Sequence, residues 1–302
     1  MRTAELLGRR PRPAGAVSGA GRDGWPARPP LTSNTLTWNS RDWSPEELAV
    51  QADCPREVTR EWAWVGSSGR GARVCLVDSG IEAGHPDVGQ VQGSFAVTST
   101  GVGEPAVEPA ADGDRCGHGT ACAGIIRSLA PECELYSVRV LGERLTATGE
   151  AFIAGLRWAV EQAFDVVNLS LSTTRRRFAE ELHALADQAY FAGTVVVAAA
   201  HNTPVESFPW RFASVVSVGS HAACDPSLVL YNPRPPVEFF GYGTNVDVAW
   251  LGGVRTRISG NSFAAPHLAG YCALAMSKHL GLTPFQVKSL LYLTSDNVKG
   301  FA

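Results

Sequence analysis

Apolar positions along this chain fall into two alternating rhythms. The run Arg73–Asp78 is apolar and β-branched between its ends, which predicts a strand buried on both faces and ending on an acid. Leu135–Val140, Asp165–Leu171, Thr194–Ala200 and Ser214–Val218 read the same way. Between them the spacing changes. Phe152, Leu156, Ala159 and Val160 recur at helical intervals within Gly149–Gln162, and helices are also predicted over His118–Ser128, Phe178–Tyr190 and Ser262–Lys278. Thr283 followed by Pro284 caps a last helix. Strands and helices in alternation, with the strands apolar throughout, predict an α/β fold: a doubly wound, mostly parallel sheet with helices on both faces. Such sheets bind ligands outside the carboxyl ends of their strands. Asp78, the segment Ser170–Ser172 and Asn202 are predicted to lie at such ends, so topology gathers residues that are far apart in sequence.

Residues 1–60 break the rhythm. Met1–Pro30 is rich in Arg, Pro, Gly and Ala and poor in large apolar side chains. It cannot bury enough surface to offset the entropy of ordering, so residues 1–40 are expected to be a flexible tail. Residues 41–60 are expected to be a short extension, helical over 41–56, with Ser44 as N-cap and Pro45 in the first turn. Arg9-Arg10 is followed by Pro-Arg-Pro-Ala-Gly and by no apolar stretch, so no export signal is read there.

Composition narrows the partners. With 45% hydrophobic and 18% charged residues among 302, one large domain can bury a sizeable core. A formal net charge of −3 argues against nucleic acid and against an anionic membrane surface. No apolar run approaches a membrane span. The seven cysteines are odd in number, and some, such as Cys75 and Cys272, fall inside predicted strands or helices. They read as reduced thiols packed as small hydrophobes. Cys116, His118 and Cys122 match no standard zinc spacing, so no metal is expected there.

The chemistry sits in Val77-Asp78-Ser79-Gly80, Gly117-His118-Gly119-Thr120 and Gly260-Asn261-Ser262-Phe263-Ala264-Ala265-Pro266-His267. An acid, an imidazole and a hydroxyl each stand in a frame of small residues. A hydroxyl is a poor nucleophile at neutral pH; it needs a base to take its proton, and the base needs an anion to hold its tautomer and charge. Ser262, at the predicted start of a helix, has free backbone N–H groups and the positive dipole end beside it. With the flanks Gly71–Ile81, His85-Pro86-Asp87 and Ala198-Ala199-Ala200-His201-Asn202, the chain from about Trp62 onward resembles the subtilases, the subtilisin-like serine peptidases of peptidase family S8. In subtilases the acid, histidine and serine follow one another in this order.

The resemblance implies a subtilisin-like peptidase domain over 61–302 that hydrolyses peptide bonds through an acyl-enzyme and needs no cofactor. It implies Asp78, His118 and Ser262 as the catalytic triad and Asn202 as an oxyanion donor beside the Ser262 N–H. Ser170, Leu171 and Ser172 would form the edge on which an extended peptide or protein substrate pairs as an added strand. Ala199 and Ala200 would form the opposite wall of the main specificity pocket. The other reading is a catalytically weak or inactive protein that keeps the fold and its peptide-binding groove.

Several positions depart from the family pattern. Ser172 and His201 stand where Gly is usual and add bulk near the specificity pocket. Ala121-Cys122 replaces His-Val, and Asn261 replaces Thr. A carboxylate at Glu206, near the pocket floor, would favour a basic substrate side chain. Secreted relatives bind calcium with the Asp of His-Pro-Asp and a loop after the histidine helix. Asp87 is present, but Ile125–Pro131 runs almost straight into the next strand and offers few oxygens, so no calcium is expected there. Residues 1–60 leave no room for the folded pro-domain of secreted relatives. With the cysteine usage, this gives the expectation of a cytoplasmic enzyme, either degradative or dedicated to cutting a precursor peptide.

Overall fold

The continuous apolar runs form strands covered on both sides. In the computed structural model of the chain, which describes Pro55 and residues 57–98, 105–111 and 113–299, the elements follow in chain order. They are α1 (Arg60–Ala63), β1 (Arg73–Asp78), β2 (Gly93–Thr98), β3 (Ala106–Pro109), α2 (His118–Leu129), β4 (Glu134–Arg139), α3 (Gly149–Glu161) and β5 (Val166–Leu169). After a 3-10 turn at Arg176–Phe178 come α4 (Ala179–Phe191), β6 (Val195–Ala199), β7 (Val216–His221), β8 (Leu230–Tyr231), β9 (Phe239–Tyr242), β10 (Val246–Trp250), β11 (Val254–Ile258), α5 (Asn261–Lys278) and α6 (Pro284–Leu293). The tail expected over 1–40 lies outside the described residues. So does the helix expected over 41–56, apart from Pro55, which is in no regular element.

One sheet carries the order β3-β2-β4-β1-β5-β6-β7-β9-β8. Its middle, from β2 to β9, is parallel, and β3 and β8 close the edges antiparallel. Side chains of each central strand alternate between two cores. Val74 and Leu76 of β1, with Val195 and Val197 of β6, pack with α2 and α5. Cys75 and Val77, with Val196 and Ala198, pack with α3 and α4. Burial on both faces is why these strands read as unbroken apolar runs. The β10–β11 hairpin stands apart and packs its inner residues on α2 and α5 through Val246, Val248, Ile125 and Phe263.

Strand order reverses at β1. The chain leaves β1 for β2, β3 and then, through α2, β4 on one side, and crosses by α3 to β5 on the other. That reversal opens a crevice at the carboxyl ends of β1 and β5, the place where doubly wound sheets bind ligands. Close packing deepens it. A Cβ on Gly119 would run into the Gly80 carbonyl, so only glycine lets the first turn of α2 lie against the turn after β1. Strand β5 ends at Leu169, earlier than its apolar run predicts, and residues 170–172 leave the sheet as an unpaired segment.

Candidate active site

Asp78 ends β1 and is 1% exposed; His118 opens α2 and is 6% exposed. The His118 Nδ1–H donates to Asp78 Oδ1 at 2.8 Å, and the same oxygen accepts the Ser79 N–H at 2.7 Å. An imidazole held this way carries its proton on Nδ1 and leaves Nε2 as a base. Burial works against a charge on His118, but the charge of Asp78 and its hydrogen bond outweigh it and raise the pKa above the ordinary histidine value. Phe263 backs the ring, with 5.3 Å between ring centroids.

The start of α2 is tied down by a residue that the sequence reading passed over. Asp114 Oδ1 accepts the Ser79 hydroxyl at 2.7 Å and the Cys116 N–H at 3.0 Å. Its Oδ2 accepts the Thr120 N–H at 2.8 Å and hydroxyl at 2.6 Å. The Ser79 oxygen in turn accepts the Gly119 N–H at 2.9 Å. This network joins the turn after Asp78 to the turn that carries His118. An acid three positions before the Gly-His-Gly-Thr stretch was the available signal.

Ser262 lies in the first turn of α5, whose N-cap residue, Gly260, has no side chain to cap it. Its carbonyl accepts the Ser170 hydroxyl at 2.8 Å and the Cys122 thiol at 3.5 Å. Its own hydroxyl donates to the Ser170 carbonyl at 3.2 Å and makes no hydrogen bond to His118, so the third member of the expected constellation points to a neighbouring acceptor. Catalytic hydrogen bonds are often absent or loose without substrate and tighten only in the complex. Among the described residues the Ser262 N–H has no acceptor.

Asn202 follows β6. Its Oδ1 accepts the Asn261 N–H at 2.9 Å, which leaves its Nδ2 with no acceptor among the described residues and next to Gly260. The departure at Asn261 explains how this end is held. Its Oδ1 accepts the Ser220 N–H at 2.9 Å, and its Nδ2 donates to the carbonyls of Ala200 at 3.1 Å and His201 at 3.3 Å. One amide therefore staples the ends of β6 and β7 to the start of α5.

His118, Ser262 and Asn202 border one cleft of about 240 Å³. Ser170, Leu171 and Ser172 line one side and Ala199 and Ala200 another, so the cleft brings together the expected site residues that reach the surface, while Asp78 lies beneath His118. Leu141 and Leu145, which had not been assigned, line it too, as does His201. Leu141 and Leu145 follow β4 in a turn closed by the Gly142 N–H on the Thr146 carbonyl at 3.0 Å, and no motif announces them. Leu171 and Ser172 have no backbone partner among the described residues.

Glu206 does not border the cleft, contrary to the expectation of a carboxylate at its floor. Its carboxylate is held by Arg176 at 2.6 Å and Arg211 at 2.9 Å. Those arginines neutralise it; Arg211 is five residues on, whereas Arg176 is brought near only by folding.

The metal question has a similar answer. Among the described residues, the trio of histidine, cysteine and acid whose ligand atoms come within 4.8 Å of one another is Asp78, His118 and Cys122, and Cys116 is not part of it. Burial pushes the Cys122 thiol well up, and its sulfur already sits within hydrogen-bond distance of the Ser170 hydroxyl and the Ser262 carbonyl. At the position where secreted relatives bind calcium, and where none is expected here, Asp87 Oδ2 is engaged by the Arg255 guanidinium at 2.6 Å, which also holds Asp247 at 3.0 Å. Arg127 donates to the carbonyls of Val88, Gln90, Pro131 and Cys133 and closes the short connection between α2 and β4. Calcium needs about six to eight oxygens. Here a guanidinium already occupies the carboxylate, so these residues do not fit the ion. Excess chelator should leave the melting temperature unchanged; a drop of several degrees in a calorimetric scan would contradict this.

Comparison with known proteins agrees with the geometry. Residues 69–302 match the family model of the subtilase family (Peptidase_S8). Subtilisin DY of Bacillus licheniformis is 31% identical over 248 residues, covering 77% of this chain and 86% of that protein. Subtilisin E of Bacillus subtilis (strain 168) is 31% identical over 245 residues, covering 76% of this chain and 62% of its own length. The crystal structure of a cold adapted subtilisin-like serine proteinase superposes with a TM-score of 0.60 at 27% identity, covering 74% of this chain and 82% of that one. The chain belongs to the subtilase family of serine endopeptidases, whose substrates are peptides and proteins.

Proposed function

We propose that the cleft hydrolyses internal peptide bonds through an acyl-enzyme on Ser262. The observation that carries this reading is the buried Asp78–His118 pair, 2.8 Å apart, opening onto the same cleft as Ser262. Rotation about the Ser262 Cα–Cβ bond moves the hydroxyl from the Ser170 carbonyl to His118 Nε2. His118 takes the proton as the oxygen attacks the substrate carbonyl, and the resulting oxyanion sits between the Ser262 N–H and Asn202 Nδ2. His118 then returns the proton to the leaving amine, and water deacylates the serine by the same steps in reverse order. The unpaired backbone of Leu171 and Ser172 supports a substrate laid along it as an added strand.

Incubation with a diverse peptide library and mass-spectrometric mapping tests this. Cleavage at internal bonds is expected; trimming from the ends alone, or no cleavage by folded protein, would reject it. Asn202→Ala is expected to lower turnover by about 10²–10³-fold with little change in KM, because the lost donor acts only on the transition state. Steady-state kinetics check this, and a change confined to KM would move Asn202 out of the oxyanion site.

A cytoplasmic setting is part of the proposal. Its support is the set of unpaired thiols among the described residues: Cys75, Cys116, Cys122, Cys133, Cys224 and Cys272.

A further inference from the structure

The specificity end of the cleft carries donors that the protein itself does not use. His201 lines it next to Asn202. The His201 Nδ1 accepts the Thr203 N–H at 3.1 Å and lies 2.9 Å from the Thr203 hydroxyl. The Thr203 carbonyl also lies 3.3 Å from Nδ1 and could only accept a proton from it. The amide contact is the shorter of the two backbone contacts, and a backbone amide can only donate, so Nδ1 is assigned as unprotonated in the neutral ring and the proton to Nε2. That Nε2–H has no acceptor among the described residues. The Ser172 hydroxyl lines the same cleft and is likewise without a hydrogen-bond partner among them. The walls between, Ala199 and Ala200, offer no side-chain polar atom, and Glu206 is spent on Arg176 and Arg211.

From this we infer that His201 and Ser172 select substrates whose residue just before the cleaved bond ends in a carbonyl-type oxygen, a carboxamide or a carboxylate, as in Gln and Glu. The proposal rests on the peptidase reading of the same cleft and adds the class of side chain it accepts. Three features favour that class. An unpaired ring N–H and an unpaired hydroxyl are both able to donate, and a substrate that covers these half-exposed donors without offering an acceptor leaves them unsatisfied at a cost. No carboxylate borders the cleft to receive a Lys or Arg side chain or to repel Glu. The imidazole and hydroxyl replace empty glycine space, which narrows the room for a large aromatic ring. A site built to bond a polar group rejects the apolar analogue far more strongly than an apolar pocket rejects a polar one.

The experiment uses fluorogenic peptides identical except for Gln, Glu, Leu, Phe or Lys before the cleaved bond. The readout is the ratio of kcat/KM between substrates within each protein, which cancels differences in the amount of folded enzyme. For the wild type, Gln or Glu should exceed Leu and Phe by ~10-fold or more. His201→Gly should bring that ratio close to one, and Ser172→Gly should lower it in part. A wild-type preference for Leu, Phe or Lys, or a ratio unchanged in both variants, overturns the inference. Fluorophosphonate labelling of the same wild-type sample separates the two levels. A labelled enzyme with the wrong preference sinks the specificity inference alone. A folded enzyme that is neither labelled nor active on any substrate sinks the peptidase reading and this inference with it.

Discussion

Ser262→Ala should reduce turnover by about 10⁶-fold, the scale that loss of the nucleophile has in subtilisin itself. The expectation follows from what remains after the change. Without Oγ no acyl-enzyme can form, and His118 has no proton to take. The Asp78–His118 pair and the Asn202 amide stay in place, because neither is hydrogen-bonded to the Ser262 hydroxyl. The variant loses one bond of the resting structure, from that hydroxyl to the Ser170 carbonyl. The helix start is held independently, by the Ser170 hydroxyl and the Cys122 thiol on the Ser262 carbonyl. Folding should therefore be little disturbed, and hydrolysis of a fluorogenic peptide by the variant should fall to background. Residual turnover within ten-fold of the wild type would move the chemistry elsewhere.

Asp78→Asn should cost about 10⁴-fold in turnover. The substitution preserves shape: an amide oxygen can still accept from Ser79 N–H and from His118 Nδ1. What disappears is the negative charge that stabilises the imidazolium as the proton arrives. The same loss has a signature in pH that a merely structural role would lack. In the wild type, the charge of Asp78 and its hydrogen bond raise the His118 pKa against the opposing effect of burial. His118 must be unprotonated at Nε2 to act as base, and a raised pKa keeps the proton on to higher pH. The wild-type kcat/KM should thus rise with pH through a midpoint above the ordinary histidine value of about 6.5. In Asp78→Asn the charge is gone and burial remains, so the midpoint should move down. Profiles of kcat/KM against pH for both proteins check this. A midpoint that does not move, or that moves up, would separate Asp78 from the base.

Much of this architecture is written in side-chain pattern. β1 between its charged ends, and β6 throughout, alternate between two apolar cores, so these residues had to be apolar, and the runs stand out. α3 is mostly buried, and its spacing shows because Phe152, Leu156, Ala159 and Val160 pack into a core while Glu150 and Glu161 stay exposed. The edges were harder to see. β3 is mostly exposed, β8 is a two-residue pair, and the β10–β11 hairpin is covered on one face, with Asp247, Val254, Arg255 and Arg257 exposed. None of these carries a long apolar run. The site divides the same way. Asp78, His118 and Ser262 are marked by small residues that let backbone and substrate come close, and Gly119 shows why one such residue is required. Asp114 and Asn261 work through hydrogen bonds to partners brought near only by folding, and their residue types are common in loops. Glu206 was misread because its fate depends on Arg176, thirty residues away in sequence, as well as on the nearby Arg211.

The account depends on Ser262 being a hydroxyl made reactive by the imidazole that shares its cleft. A fluorophosphonate forms a stable covalent bond to such a serine and leaves ordinary serines untouched. Treating the folded chain with the probe, digesting it and mapping the adduct by mass spectrometry measures this directly. The predicted result is one adduct, on Ser262, forming faster as pH rises through the His118 midpoint. An adduct on another residue, or none on protein shown to be folded, would contradict the account.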